Sequence, residues 1–347
     1  MKLDQKGGSK IKELKKYNVG VIGLGVGEQH VRSYQKMKHC KVVSICDFDQ
    51  DKLDMVSKKY QIPYKFKDYR SITENPNIDV VSICSFDDFH YEQILSCLRN
   101  GKHIMVEKPA VLFPKDAEKI ITELEKTNLK FSSNLILRKS PRFLEVKKLV
   151  NQGDLGSIFH IEGDYLHHIL WKITEGWRGK LDFYCTVYGG GIHLIDLMRW
   201  IMNEEVNEVC AVGTSIPTSS SNYKWPDTIT SLFKWENGAT GKCTTSFAPI
   251  RTKFHSLNIY GTKKTFVNDL PHAKYFVGHE KSEDEIAIKT PYPGVEKGDM
   301  LPDFIESITK NKLPNVNQTD IFRVMSVCFA IWDSIKLKKT VKVNNII

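Results

Sequence analysis

Short apolar runs alternate with amphipathic stretches along the first 135 residues of this 347-residue chain. The runs are rich in branched residues and nearly unbroken by polar positions, which indicates strands buried on both faces. We predict strands at residues 18–24, 41–47, 64–67, 79–84, 103–106 and 130–135, and helices at 28–38, 51–60, 90–100 and 116–127. Strands and helices that alternate in this way predict a doubly wound parallel sheet.

The pattern changes near residue 137, where we place a domain boundary. We predict helices at 141–150, 191–202, 300–309 and 320–336, a long strand at 156–166 and several strands between 206 and 267. Those later strands have little helix between them, so we expect them to be antiparallel. The prediction is an α/β chain with a parallel-sheet domain at 17–137. An α+β domain with one large, open, mainly antiparallel sheet follows at 138–347.

Composition narrows the class of protein. An apolar fraction of 41% is enough for two cores, and without a run of 18 apolar residues we expect no membrane span. Residues 1–16 carry lysines but no apolar stretch, so we expect a frayed tail rather than a signal peptide. The eight cysteines form no C-x-x-C pair. That spacing argues against a metal site and favours reduced thiols in the cytoplasm.

The chain has a formal net charge of +9. Its lysines are spread thinly and are not interleaved with aromatic residues, so we expect no nucleic-acid partner. A mild positive potential would instead attract an anionic small molecule.

A glycine-rich turn after the first strand is the first candidate site. It consists of Gly23, Gly25, Val26, Gly27 and Glu28, with Leu24 inside it. Glycines at a strand-to-helix turn let the backbone approach a pyrophosphate, which the helix N-terminus attracts. A strict G-x-G-x-x-G pattern would place glycine where Glu28 stands, so the match to a dinucleotide site is incomplete.

Asp47 ends the second strand, roughly 20 residues after the glycine turn, where an acidic residue binds the ribose hydroxyls of NAD. A carboxylate at this position repels the 2′-phosphate of NADP, so we expect NAD as the cofactor and NADP as the less favoured one. The alternative is that Asp47, Asp49 and Asp51 form a polar loop, in which Asp49 or Asp51 caps the next helix.

The predicted strand at 103–106 ends in Glu107, Lys108 and Pro109. Ligands of doubly wound sheets bind beyond the carboxyl ends of the strands, so we expect Lys108 to lie beside the nicotinamide. An ammonium group there can hydrogen-bond a substrate hydroxyl and stabilise negative charge on its oxygen. The alternative is a surface-loop lysine paired with Glu107.

Four segments together resemble the Gfo/Idh/MocA family, named for glucose–fructose oxidoreductase, inositol dehydrogenase and rhizopine catabolism proteins. They are the glycine turn with His30 downstream, SFDDFH at 85–90, GKHIMVEKP at 101–109 and GGGIHLID at 189–196. The likeness extends over residues 17–340. It implies a Rossmann domain followed by a substrate domain whose sheet mediates contacts in a homo-oligomer, a dimer or a tetramer.

The resemblance also implies an activity. An NAD(P)-dependent enzyme of this family would transfer a hydride between the nicotinamide and a secondary alcohol or ketone of a sugar, inositol or nucleotide sugar. Lys108 and His193 would handle the proton, since an imidazole with a pKa of about 6.5 suits that task. Two alternatives stay open. His193 could be a packed or capping histidine, or the chain could be a non-catalytic regulatory protein that binds NAD or a sugar.

Further site residues follow from the resemblance alone. Cofactor contacts are expected from Ser85, Phe86, His90, Glu107, Lys108, Asn134, Trp177 and Arg178. Substrate contacts are expected from Lys108, Tyr165, His193 and Asp196. Many family members carry aspartate where this chain has Gly189. Asp196, on nearly the same helical face as His193, could replace it or could equally be structural. Tyr165, His167 and Tyr188 are further candidates.

Overall fold

The computed structural model describes residues 16–280 and 284–347, and in this part of the chain the first sheet has six strands. They are β1 (Tyr17–Ile22), β2 (Cys40–Cys46), β3 (Tyr64–Phe66), β4 (Val80–Ile83), β5 (His103–Val106) and β6 (Phe131–Ser133). All pair in parallel, in the order β3-β2-β1-β4-β5-β6. This is the strand order of a Rossmann sheet, so the predicted doubly wound fold is confirmed.

Five helices connect these strands in the described residues. They are α1 (Leu24–Gln35), α2 (Gln50–Tyr60), α3 (Arg70–Thr73), α4 (His90–Arg99) and α5 (Pro114–Leu124). The strand order reverses between β1 and β4, which leaves a crevice at the carboxyl ends of those two strands. Parallel sheets bind their ligands at such a point.

Helix α1 begins at Leu24, four residues before the predicted start at Glu28. Gly23 precedes the helix at φ 82, a left-handed conformation that glycine adopts without strain. The chain therefore turns within one residue, and Gly25 and Gly27 belong to the helix. The sequence prediction was wrong here because it took all the glycines as part of the turn.

The second sheet has nine strands within the described residues, one of them central and long. They are β7 (Ile158–Leu166), β8 (Val206–Thr214), β9 (Thr228–Trp235), β10 (Thr240–Ser246), β11 (Phe254–Gly261), β12 (Thr265–Asn268), β13 (Ala273–Phe276), β14 (Glu285–Ile288) and β15 (Val341–Lys342). Their order is β14-β13-β12-β11-β7-β10-β9-β8-β15. The mainly antiparallel sheet is confirmed, with one exception. β7 and β10 pair in parallel, because a long connection separates them along the chain.

The helices of the second half are α6 (Pro141–Asn151), α7 (Trp171–Thr174), α8 (Ile192–Met202), α9 (Leu301–Thr309) and α10 (Gln318–Leu337). A π-helical turn, Val187–Gly191, leads into α8. Its glycines let the backbone lie against the sheet. A Cβ atom at Gly190 would be 2.5 Å from the Tyr165 ring, and one at Gly191 would be 2.2 Å from Thr245. The start of α8 is therefore held close to the end of β7.

The closing helices contact both halves of the molecule. α9 packs against α1 and β5, and α10 packs against β6 and α5 as well as β8. The division at residue 137 stays a prediction, and residues 1–15 of the predicted tail lie outside the described residues. Among the residues that the structure describes, no helix combines the length and apolar character needed to cross a membrane.

Candidate active site

A cavity of about 640 Å³ begins at the glycine turn and reaches the π-helical turn of the second domain. The carboxyl ends of β1, β2, β4 and β5 supply one wall, and the ends of β7 and β11 supply the other. It contains the crevice where the strand order of the first sheet reverses. Both halves of the chain therefore contribute side chains to one site.

The glycine turn has the shape that a pyrophosphate requires. A Cβ atom at Gly23 would lie 2.5 Å from the carbonyl carbon of Cys84, so no other residue fits there. A Cβ at Gly25 would meet nothing within 4 Å, so the helix start is open toward the cavity. Gly23, Gly25 and Val26 line the cavity wall. The residues present therefore fit the phosphates of a dinucleotide.

The other two residues predicted for this turn have different roles. Gly27 faces the sheet, where a Cβ atom would lie 2.9 Å from Val21. Glu28 accepts a hydrogen bond from Lys59 at 2.8 Å and one from the Tyr60 hydroxyl at 3.2 Å. Neither residue lines the cavity. We correct the prediction of cofactor contact for both, because their positions on α1 direct them at the sheet and at α2.

Asp47 is buried at the cavity wall beyond the end of β2. One of its oxygens accepts the backbone N–H of Leu24 at 2.7 Å and the other that of Asp49 at 3.0 Å. The side chain of Asp49 caps α2 by accepting from the backbone of residues 51 and 52. Asp49 therefore caps the helix, as one alternative expected, while the ribose role of Asp47 stays a prediction.

The loop after β4 reaches across to the second domain. Phe86 stacks on Trp177, with 4.2 Å between ring centroids and 15° between planes. Ser85 donates a hydrogen bond to Gln93 at 2.7 Å, and the Arg178 guanidinium lies 4.3 Å from the Trp177 ring centroid. Ser85, Phe86, Trp177 and Arg178 all line the cavity. The structure therefore brings these four predicted residues together.

His90 and Asn134 support the site from behind its wall. The His90 Nδ1 lies 2.7 Å from the Pro109 carbonyl oxygen, and its Nε2 lies 3.3 Å from that of Ser85. Asn134 donates to Glu107 at 2.6 Å. Both side chains are fully buried and do not line the cavity, whereas Glu107 does. We correct the expected cofactor contacts of His90 and Asn134 to positioning roles.

Lys108 is buried, and its Nζ donates to the carbonyl oxygen of Gly189 at 3.0 Å. A side chain of the first domain is thus held by the backbone of the second. Burial lowers the pKa of Lys108 to about 8, against the opposing effect of the Asp87 carboxylate. Asp87 is itself buried and lines the cavity. The alternative of a surface-loop lysine is wrong.

His193 lies in the first turn of α8, beyond Gly189, and lines the same cavity. Its Nδ1 is buried and has no hydrogen-bond partner among the described residues. The Tyr165 ring lies 6.4 Å away at 21°. Burial and the Lys108 ammonium hold the pKa of His193 well below its usual value. The imidazole is therefore neutral at pH 7 and able to accept a proton.

Asp196 does not replace the missing aspartate. Both of its oxygens accept hydrogen bonds from the Arg138 guanidinium, at 2.8 and 2.6 Å. It is 1% exposed and is not part of the cavity wall. The helical spacing that placed Asp196 near the face of His193 was correct, but the side chain turns toward Arg138. We correct its predicted catalytic and substrate-binding roles to a structural one.

Tyr184 occupies the space that a side chain at position 189 would need. A Cβ atom at Gly189 would lie 1.8 Å from the Tyr184 hydroxyl oxygen. That oxygen is buried at the cavity without a hydrogen-bond partner in the described structure. Tyr188, one of the further candidates from the sequence, packs instead against Phe183 and Phe329. No helical or strand periodicity in the sequence points to Tyr184, because it lies before the π-helical turn and α8.

The second domain adds basic side chains that the sequence did not single out as a group. Lys172, Lys253, His255 and Lys297 line the cavity together with His167. Burial and the neighbouring cations lower the pKa of His167 to about 4 and that of His255 to about 3. These residues come from three separate segments, 167–172, 253–255 and residue 297, so only the folded chain brings them together.

Two family models match this chain. One, described as an oxidoreductase family with an NAD-binding Rossmann fold, matches residues 17–135, and the other, a GFO/IDH/MocA C-terminal domain, matches residues 143–267. The chain belongs to the Gfo/Idh/MocA family. As a member of this family, it is a hydride-transferring oxidoreductase that uses NAD, as the sequence predicted.

Relatives from the Gfo/Idh/MocA family align over most of the chain. A myo-inositol 2-dehydrogenase of Thermotoga maritima is 26% identical over 344 residues, 95% of this chain and 99% of that protein. A levoglucosan dehydrogenase of Pseudarthrobacter phenanthrenivorans is 23% identical over 287 residues, covering 72% and 73%. The structure of scyllo-inositol dehydrogenase from Lactobacillus casei with NAD(H) and scyllo-inositol shares the fold. It has a TM-score of 0.80 at 23% identity, over 95% of this chain and 99% of that one.

Proposed function

We propose that this enzyme oxidises a secondary alcohol of a sugar, an inositol or a nucleotide sugar, or reduces the matching ketone. One observation carries the proposal. An ammonium group and a neutral imidazole, Lys108 and His193, line the far end of a cavity that starts at a dinucleotide-binding turn. Relatives named as inositol and levoglucosan dehydrogenases support this class of substrate.

His193 and Lys108 have different roles in alcohol oxidation. NAD, held at the turn of Gly23, Gly25 and Val26, would supply the acceptor for the hydride of the substrate carbon. His193 takes the hydroxyl proton, since its imidazole is neutral, lines the cavity and has a nitrogen without a partner among the described residues. The Lys108 ammonium, fixed by the Gly189 carbonyl, stabilises negative charge on the same oxygen. In the opposite direction, His193 returns the proton to the ketone oxygen.

The first experiment is a turnover assay with NAD and a panel of inositols, hexoses and nucleotide sugars, read as the absorbance of reduced nicotinamide. Lys108→Ala should lower kcat by a factor of about 10² or more with little change in the Kd for NADH. Lys115→Ala, an exposed lysine on α5, serves as the control. Undiminished turnover in Lys108→Ala would remove this lysine from the mechanism.

The same assay addresses the regulatory alternative. A non-catalytic regulator would bind NADH and yet reduce no cofactor with any member of the panel. The joint placement of Lys108 and His193 in one cavity favours the enzyme, since a binding protein requires neither proton-handling group.

We also propose a homo-oligomer and a cytoplasmic location. Support for the oligomer comes from the outer face of the second sheet, where the neighbouring strands β8 and β9 carry exposed Val212 and Leu232. Free cysteines in all eight positions are consistent with a reducing compartment.

A further inference from the structure

The two walls of the cavity differ in charge. Its acidic lining residues, Asp47, Asp87 and Glu107, all belong to the first domain. The second domain lines the cavity with Lys172, Arg178, Lys253, Lys297 and three histidines, and no carboxylate from its described residues accompanies them. A sugar with hydroxyl groups alone does not need such a wall.

Two of these cations have no partner in the part of the chain that the structure describes. Lys172 and Lys253 form no ion pair or hydrogen bond with any described residue, although Lys172 lies over the Trp171 ring. Lys297, by contrast, is 4.0 Å from Glu107, and Arg178 stacks on Trp177. Unpaired ammonium groups that face a cavity attract an anion and can form charge-assisted hydrogen bonds to it.

The position of this pair points to the substrate rather than to NAD. Lys253 lies just before β11, where His255 pairs with Tyr165 of β7, and the Tyr165 ring is the neighbour of His193. Lys172, Lys253 and His167 all line the same cavity as His193. The phosphates of NAD belong at the other end of the cavity, at the glycine turn.

We propose that the substrate carries an anionic group, a carboxylate or a phosphate, which Lys172 and Lys253 bind while its reacting hydroxyl lies between Lys108 and His193. This inference rests on the proposed function and narrows its substrate class to acidic sugars or inositols and their phosphate esters.

The test compares matched neutral and anionic substrates. A hexose, its uronate and its 6-phosphate, together with an inositol and its monophosphate, are assayed with NAD. At least one anionic member should exceed its neutral counterpart in kcat/KM by about tenfold or more, and added salt should reduce that advantage. The uronate and phosphate arms distinguish the two kinds of anion.

Substitution of Lys172 and Lys253 tests whether these two lysines cause the preference for anionic substrates. The double variant Lys172→Gln/Lys253→Gln should lower the ratio of anionic to neutral kcat/KM by tenfold or more. Lys180→Gln, an exposed lysine outside the cavity, should leave the ratio as it is. A wild-type enzyme that prefers neutral polyols, or a double variant with an unchanged ratio, would overturn the inference while leaving the proposed function intact.

If no compound on the panel is turned over, calorimetry tests whether Lys172 and Lys253 bind an anionic group. Uronate and sugar phosphate are titrated into the NADH complex of the wild-type enzyme and of the double variant. We expect binding of one of them to weaken tenfold or more in the variant. Equal binding by both proteins, or none by the wild type, would refute the anion site. Absent turnover with retained lysine-dependent binding would count against the proposed function alone.

A different observation supports a second inference, which concerns Tyr184. Its hydroxyl is buried at the cavity without a partner and lies beside Gly189, whose carbonyl oxygen holds Lys108. Burial raises the pKa of Tyr184, so the phenol keeps its proton at neutral pH. We infer that Tyr184 is a catalytic residue that donates a hydrogen bond to the oxygen of the reacting substrate carbon.

Tyr184→Phe removes only this oxygen and should lower kcat by a factor of about ten or more, with a smaller change in KM. Tyr275→Phe is the matched control, because Tyr275 also has a buried, unpartnered hydroxyl but lies outside the cavity. Equal kcat values for Tyr184→Phe and the wild type would end this assignment.

Discussion

The ammonium group of Lys108 lies in an environment that sets its pKa close to neutral pH. Burial lowers the pKa to about 8, the nearby Asp87 carboxylate raises it, and the cations of Lys297 and Arg178 lower it. Alcohol oxidation requires this group charged and His193 neutral. The two states coexist between the lowered pKa of His193 and the pKa of Lys108.

We predict that kcat/KM for oxidation falls as the pH rises through about 8, where Lys108 loses its proton. Asp87→Asn should shift this basic limb to lower pH, because removing a negative neighbour favours the neutral amine. A pH profile of kcat/KM measures the shift. Asp88→Asn changes an exposed neighbour of Asp87 and should leave the limb in place. A limb that moves equally in both variants would exclude Asp87 as the cause.

The position of a site residue was predictable where a chemically suitable side chain directly follows a strand or lies at the start of a helix. Asp47, Lys108 and His193 reach the cavity for that reason. Asp196 was assigned to the site wrongly, and Tyr184 was not predicted at all. The surroundings of both residues depend on contacts with side chains far away in the sequence. Helical spacing places Asp196 on a face, but only packing shows that Arg138 occupies that face.

Among the elements, the turn between β1 and α1 has little tolerance for substitution. We predict that Gly23→Ala abolishes measurable NADH binding, because the added Cβ would lie 2.5 Å from the Cys84 carbonyl carbon. Gly153→Ala provides a control with a similar φ, 74, and open space around the new atom. Fluorescence titration with NADH should show normal affinity for Gly153→Ala, and normal affinity for Gly23→Ala would contradict the placement of the phosphates.

The 3₁₀ turn Ile136–Lys139, at the predicted domain boundary, is tied to the helices of the second domain through a buried ion pair. Its Arg138 binds Asp196 of α8 and also Asp320 at the start of α10, at 3.0 Å. We predict that Asp196→Asn lowers the free energy of unfolding by about 3 kcal/mol, since it leaves a buried charge poorly compensated. Urea denaturation measures the loss. The kcat of the folded variant should stay within a few-fold of wild type, and a loss of orders of magnitude would restore a catalytic role to Asp196.

The elements of the first domain were more predictable than those of the second. Buried strands of branched residues alternate with amphipathic helices, and each transition is visible locally. In the second sheet, hairpin neighbours were predictable, but the pairing of β7 with β10 was not. Their separation along the chain leaves no local signal for which edge of β7 receives the later strand.

At the scale of the whole molecule, two sheets of different construction meet at one cavity. The two-sheet architecture followed from the change of pattern near residue 137. The charge of the cavity was not predictable, because a net charge of +9 does not show where in the fold the basic side chains lie. The basic wall becomes visible only when the loops before β11 and after β7 lie side by side.

The outer face of the second sheet supports a prediction about assembly. Leu232 is 55% exposed and Val212 is 68% exposed on adjacent strands. We predict that Leu232→Lys/Val212→Lys lowers the molar mass in solution, measured by light scattering, because charge at an apolar interface opposes association. Phe113→Lys, at an exposed aromatic position of the first domain, is the control. A wild-type mass equal to that of one chain would contradict the oligomer outright.

The anchor of Lys108 is a backbone carbonyl, and every amino acid supplies one. The hold on the ammonium group is therefore independent of the kind of side chain at position 189, although any side chain there would have to displace the Tyr184 hydroxyl. With glycine at this position, the backbone holds the Lys108 ammonium while the Tyr184 hydroxyl fills the adjacent volume. The position of the ammonium group then depends on the backbone of the π-helical turn and not on the side chains around it.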